Sequence, residues 1–240
     1  MTTSPADTTR VWDLPVRVFH WALVACFAGA YLLGDTERWR HVHVMLGYTA
    51  LGLIAFRFLW GFVGTRHARF RAFAYGPRTA VRYLRDEVAG RATRHLGHNP
   101  AGSWAVYGLL ALGLATGVTG YLVYNEIGGA TFEEVHEVLA NAWLALVVLH
   151  VLGVVFSSVV QRENLVRAMV TGRKRGLVEG VEPRPLRGVA AALALAVAGF
   201  WAWTLNTTSP LLLADAGAAA AEHEEREHSE LAGGHEDDDD

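Results

Sequence analysis

Residues 132–160 read FEEVHEVLANAWLALVVLHVLGVVFSSVV, a predominantly apolar stretch that His136 and His150 interrupt. On an α-helix the interval between them makes nearly four whole turns, so both imidazoles leave one face. At about 1.5 Å of rise per residue they stand roughly 21 Å apart along the axis. Ionisable side chains inside a membrane span are costly and usually functional. Two on one face, at different depths, point to one axial ligand for each of two stacked haems.

The composition places that stretch in a membrane. The chain has 240 residues, 52% of them hydrophobic, and a positive mean hydropathy of +0.21. The apolar residues gather in blocks of about 20, the length that crosses a bilayer. The formal net charge of -3 hides an asymmetry, because acidic residues crowd the C-terminal tail while arginine dominates upstream. Cys26 is the single cysteine, so no disulfide closes within the chain. No Cys-x-x-Cys-His occurs, which excludes covalent c-type haem attachment. Asp7, Arg10 and Asp13 ahead of a full-length span do not resemble a cleaved signal peptide.

The expected fold is all-α, an integral membrane four-helix haem-binding bundle (residues 14–174) plus a fifth C-terminal transmembrane helix. The first span runs from about Leu14 to Gly34, capped by Asp13 with Pro15 in its first turn. The second covers about Arg40 to Phe62. The third covers Trp104 to Tyr124, after an Asn99-Pro100-Ala101-Gly102 breaker. The fourth runs from about Phe132 to Val160 and the fifth over 188–206. No segment reads as a strand. Positive charge sets the orientation. The 64–102 loop is arginine-rich, as is the stretch from Gln161 to Arg187, which contains the 175–187 linker; Asp35 to Trp39 holds only Arg38, and Asn125 to Thr131 holds no positive charge. Residues 1–13 are therefore expected to be cytoplasmic and the C-terminus periplasmic, across a bacterial inner membrane. A short amphipathic helix over Pro77 to Val88 is expected to lie at the lipid surface.

That topology pairs the histidines by depth. His20 enters span one near the cytoplasmic side, level with His150. His43 enters span two near the outer side, level with His136. Each pair could clamp one haem b through neutral imidazole nitrogens. A lone buried histidine is as readily a polar residue bonded to a neighbouring carbonyl; four in two depth-matched pairs are harder to explain that way. His41 competes with His43, but only His43 has Gly47 one turn deeper on its own face, where a flat macrocycle must approach. His41 reads as interfacial. Arg57 follows His43 by the same interval that separates His136 from His150, and could neutralise a propionate of the inner haem. Arg17 could do the same, with snorkelling to headgroups as its plainer role. Gly113 and Gly117, with Gly108 and Gly120, suit close helix packing or room for haem edges.

Several of these pieces resemble the prokaryotic cytochrome b561 family, which includes cytochrome b subunits of nickel-iron hydrogenases. They are Val11-Trp12-Asp13-Leu14-Pro15-Val16-Arg17-Val18-Phe19-His20-Trp21, His43-Val44-Met45-Leu46-Gly47-Tyr48, and Phe56-Arg57-Phe58-Leu59-Trp60-Gly61-Phe62-Val63-Gly64. Leu96-Gly97-His98-Asn99-Pro100-Ala101-Gly102, His136-Glu137 and Leu149-His150 complete the set. The similarity runs from Val11 to Lys174. It implies a di-haem core passing electrons between membrane quinone and a redox partner, with His20, His43, His136 and His150 at the ligand positions. The fifth span and the tail lie outside it. His98 reads as part of a helix start capped by Asn99, with a quinone-site proton carrier as the lesser alternative.

From Ala214 onward the chain turns alanine-rich, then acidic; residues 207–240 are expected to be a disordered periplasmic tail. Its functional alternatives are docking of a basic electron carrier and loose metal binding by His223, His228 and His235. No catalytic dyad or phosphate-binding loop is legible, and nucleic acid is not an expected partner. The expected function is electron transfer between quinone or quinol and a c-type cytochrome or a hydrogenase or reductase subunit. One alternative is a self-sufficient membrane oxidoreductase, a superoxide:quinone or metal reductase. Another is a haem-free proton-linked transporter.

Overall fold

The computed structural model describes residues 8–176 and 185–207. The chain divides into two units, residues 1–195 and 196–240. Of the expected tail over 207–240, Thr207 belongs to the last helix and the rest lies outside the described residues, as do 177–184 of the linker.

Among the described residues, five helices are long and apolar enough to cross a membrane. With two short helices they give α1 (Leu14–Leu33), α2 (Arg40–Val63), α3 (Pro77–Val88), α4 (Pro100–Tyr124), α5 (Gly129–Val160), α6 (Leu165–Thr171) and α7 (Arg187–Thr207). Helices suit this solvent because each satisfies its own backbone groups without water. Four of the long ones form the bundle: α1 lies along α2, α2 against α4, and α4 along α5. The ring closes from α5 back to α1. There Tyr31 donates to Asn141 Oδ1 at 2.7 Å, and the rings of Phe27 and Trp143 meet edge-on at 4.6 Å. The glycines of α4 set the helix spacing. A Cβ on Gly113 would fall 2.6 Å from Trp143, and one on Gly117 2.9 Å from Leu51.

The helix starts follow local chemistry. Asp13 Oδ1 accepts from Val16 N at 2.8 Å, capping α1. The third span begins a full turn earlier than Trp104. Asn99 Oδ1 accepts from Gly102 N at 2.6 Å and Pro100 occupies the first helical position. Proline there costs nothing, since the amide it lacks would be unpaired anyway. What reads as a breaker is a helix start.

The expectation of no strands is corrected. Thr8–Arg10 (β1) pairs antiparallel with Arg173–Arg175 (β2), with Thr9 opposite Lys174. The strands are three residues each and carry no apolar alternation, so no sequence period betrays them. Gly172 makes the turn into β2. Its φ is +79°, it ends α6, and its carbonyl accepts from Val11 N at 2.8 Å. A Cβ there would press within 2.7 Å of the Trp12 carbonyl oxygen.

A small core seals this arginine-rich end. Val11, Trp12, Val16, Trp60 and Ala68 are buried together, with Phe56, Leu96 and Met169 packed on them. Asp13 sits beneath, 1% exposed. Its Oδ2 accepts from Thr65 Oγ1 at 2.6 Å and Trp60 Nε1 at 3.1 Å. One carboxylate thus joins the start of α1 to the end of α2. Asp13→Ala removes the cap and strands the buried Trp60 indole and the half-buried Thr65 hydroxyl, so a loss of about 3 kcal/mol is expected. A drop in the thermal midpoint of the detergent-solubilised protein checks it.

Candidate functional site

At the end of the bundle opposite the arginine-rich loop, a cavity of about 450 Å³ opens between α1, α2, α4 and α5. Its size is within the roughly 300–1,000 Å³ of typical cofactor pockets. His43 from α2 and His136 from α5 both line it. Their ring centroids are 6.3 Å apart, with planes at 82°.

Each imidazole is held by its Nδ1. His43 Nδ1 donates to the Ala30 carbonyl at 2.8 Å. Ala30 lies in the last turn of α1, where carbonyls lack an intrahelical partner; the histidine supplies one. His136 Nδ1 donates to the Thr116 carbonyl at 3.0 Å, with Thr119 Oγ1 at 3.2 Å. A carbonyl only accepts, so Nδ1 carries the proton in both rings and Nε2 keeps its lone pair. That tautomer is the one a metal-binding histidine needs, and the outer hydrogen bond also raises its basicity.

Two glycines make room. Gly120 follows Thr116 by one turn, and a Cβ there would fall 2.9 Å from the His136 ring. Gly47 borders the cavity, and a Cβ there would meet nothing within 4 Å, so this wall is open. Arg40, Tyr48 and Tyr121 also line the cavity. Sequence reasoning missed Arg40, and it missed the clamps of Ala30, Thr116 and Thr119. Thr116, Thr119 and Gly120 interrupting an apolar span were the available signal; a backbone carbonyl leaves none. His41 is absent from the lining and stands 6.4 Å from the Trp39 ring.

Towards the arginine-rich end lies the other pair. His20 and His150 are near enough to interact electrostatically, and His20 Nδ1 is buried without a hydrogen-bond partner. Arg57 is 3% exposed. Its guanidinium lies 4.9 Å over the Phe70 ring, and Nη1 is buried and unpartnered. Arg17 is tied more locally, its Nη2 donating to the Val170 carbonyl. His98 wedges between Trp12 at 4.7 Å and Phe73 at 4.4 Å.

Two imidazoles lining one cavity, each with Nδ1 bonded to a carbonyl and Nε2 left with its lone pair, are a donor set that would hold the metal of a cofactor such as haem. Fold and site together define a multi-pass helical membrane protein with paired intramembrane histidines.

The chain belongs to the prokaryotic cytochrome b561 family, whose model matches residues 11–172. Membership implies haem b. The chain is 25% identical over 142 residues to a protein described as the probable Ni/Fe-hydrogenase 1 B-type cytochrome subunit of Escherichia coli strain K12. The match to its counterpart in Escherichia coli O157:H7 is the same. In each case 48% of this chain and 60% of the relative are covered. No solved structure matches the chain.

Two outcomes follow from these contacts. Gly120→Val pushes a side chain into the His136 ring and breaks its seat on Thr116. Overpacking of this kind costs about 1–3 kcal/mol, read as a lower melting midpoint. For His98, burial above all, with Arg57 and Lys174 nearby, lowers the imidazole pKa from 6.5 to about 3. Between those values the unfolded chain binds a proton that the native state refuses, so stability falls as pH drops through that window. Melting curves between pH 7 and 4 should flatten in His98→Phe.

Proposed function

We propose that this protein is a di-haem membrane cytochrome b carrying electrons between the quinone pool and a redox partner on the opposite side of the bilayer. The carrying observation is the pair His43 and His136, whose ring centroids stand 6.3 Å apart on one cavity with Nδ1 committed to backbone carbonyls. These two would hold one haem b, and His20 with His150 the other. Haem b, when bound, supplies a reversible one-electron centre.

The chain's own residues do the rest. Ala30 and Thr116 orient the imidazoles and keep Nε2 basic. Gly47 and Gly120 leave space for a flat group and its ligand. Arg40 at the cavity wall, and Arg57 with its free buried nitrogen, are the cations available to propionates. Arg17 is the weaker candidate, since one of its nitrogens is already bound to Val170. Apolar helices exclude water, so the potentials follow from axial ligation and low dielectric.

Arginine bias supports a cytoplasmic arginine-rich end in a bacterial inner membrane. The His43/His136 site then faces the periplasm. A hydrogenase-type or reductase subunit, or a c-type cytochrome, would exchange electrons there. The relatives' description as hydrogenase B-type cytochrome subunits supports the first choice. Quinone or quinol is the membrane-soluble partner.

Haem content tests the reading. Pyridine haemochrome analysis of the purified protein is expected to give two haems b per chain. His43→Ala and His136→Ala should each remove the same haem, and His20→Ala and His150→Ala the other. No haem in a folded preparation, or loss patterns that cross the pairs, would overturn it.

A further inference from the structure

Helix α3 presents three stripes, each with a different environment. At about 100° per residue, Ala80, Tyr83 and Glu87 share one line, Val81, Leu84 and Val88 a second, and Arg78, Arg82 and Arg85 a third. The first stripe is buried and α3 packs on α4. Its rotation is pinned from within, because Tyr83 donates to Glu87 Oε1 at 3.1 Å and Gln161, at the end of α5, donates to the same oxygen at 2.9 Å. With that stripe seated, the other two have fixed directions. Val81, Leu84 and Val88 are 49%, 49% and 76% exposed. The three arginines are also exposed, and none forms an ion pair among the described residues. Asp86 lies on the far side of the seated stripe from the valines and leucine.

The depth of α3 follows from its neighbours. Gln161 follows the last residue of α5, and Trp104, in the first turns of α4, donates to the Tyr75 carbonyl just ahead of α3 at 3.0 Å. The helix therefore sits level with the ends of the spans. There an apolar stripe beside a cationic stripe meets acyl chains and headgroups at once. An acidic protein surface would answer the arginines but leave three apolar side chains in water.

We propose that α3 recognises anionic phospholipid: Val81, Leu84 and Val88 enter the acyl region while Arg78, Arg82 and Arg85 bind headgroup phosphates of the adjoining leaflet. The lipid clamps the loop that joins α2 to α4 and, through Tyr83, Glu87 and Gln161, the end of α5. The inference rests on membrane insertion and on α3 alone, so it stands or falls separately from haem content.

The test uses the full chain in mixed micelles, with bound lipid counted by native mass spectrometry and thermal midpoints taken with phosphatidylglycerol or phosphatidylcholine. Preferential retention of phosphatidylglycerol, and a higher midpoint in it, are expected. Arg78→Gln, Arg82→Gln and Arg85→Gln together should reduce the preference by about fivefold per arginine. The midpoint in phosphatidylcholine should stay put. The three Lys replacements should retain the preference. Arg82→Gln alone should show a single fivefold step if the triple variant is poorly made. An unchanged preference in the Gln variants would overturn the proposal. So would equal loss from Arg66→Gln with Arg71→Gln, which would mean a diffuse basic surface. Stabilisation by inorganic phosphate at matched concentration would mean a free-anion site instead.

Discussion

An imidazole N–H buried among apolar helices is costly to leave unpaired, because no water is there to take it. That constraint organises the half of the bundle away from the arginine-rich loop. His43 meets it with the Ala30 carbonyl, and His136 with the Thr116 carbonyl. The first carbonyl exists as a free acceptor only because α1 ends at Leu33. The second is reachable only because Gly120 has no side chain. Helix length, a glycine position and a tautomer are thus one linked choice, and its product is a pair of oriented imidazoles lining one cavity.

At the arginine-rich end the buried carboxylates are satisfied in the same way. Asp13 is almost fully buried, yet its two oxygens accept three hydrogen bonds, from a helix-start amide, an indole and a hydroxyl. Glu163, 7% exposed, accepts from Arg94 Nη2 at 3.0 Å and Arg175 N at 2.6 Å. Lys174 beside it donates to the His95 carbonyl at 2.7 Å. These contacts staple loop, strand pair and helix ends into a cap. Arg57 departs from the pattern: it lies over Phe70 with one nitrogen unpartnered. A buried cation with spare donor capacity is unusual, and Asp13 is the carboxylate near enough to act on it electrostatically.

Much of the architecture was legible from local pattern. The expected α3 coincides with Pro77–Val88, because an amphipathic stripe and a proline start are local signals. The fifth span agrees to within a residue at each end. The start of α4 was misplaced because the same Asn-Pro pair that ends one helix can begin another, and only the Asn99 bond to Gly102 decides which. The strand pair was invisible, since β1 precedes the first span and β2 follows the fourth, and the two are joined by register rather than composition.

The amino-acid sequence by itself determined the number of spans, their polarity of charge, and which histidines could share a depth. Those properties depend on residue spacing and on the cost of placing charge in a bilayer, and both act locally along the chain. Tertiary structure alone decided which carbonyls clamp His43 and His136, which nitrogen of each ring is free, and that Arg40 reaches the same wall. Those outcomes depend on backbone carbonyls and on the angle between helices. Neither is written in side-chain identity, and both exist only once α1, α2, α4 and α5 are packed.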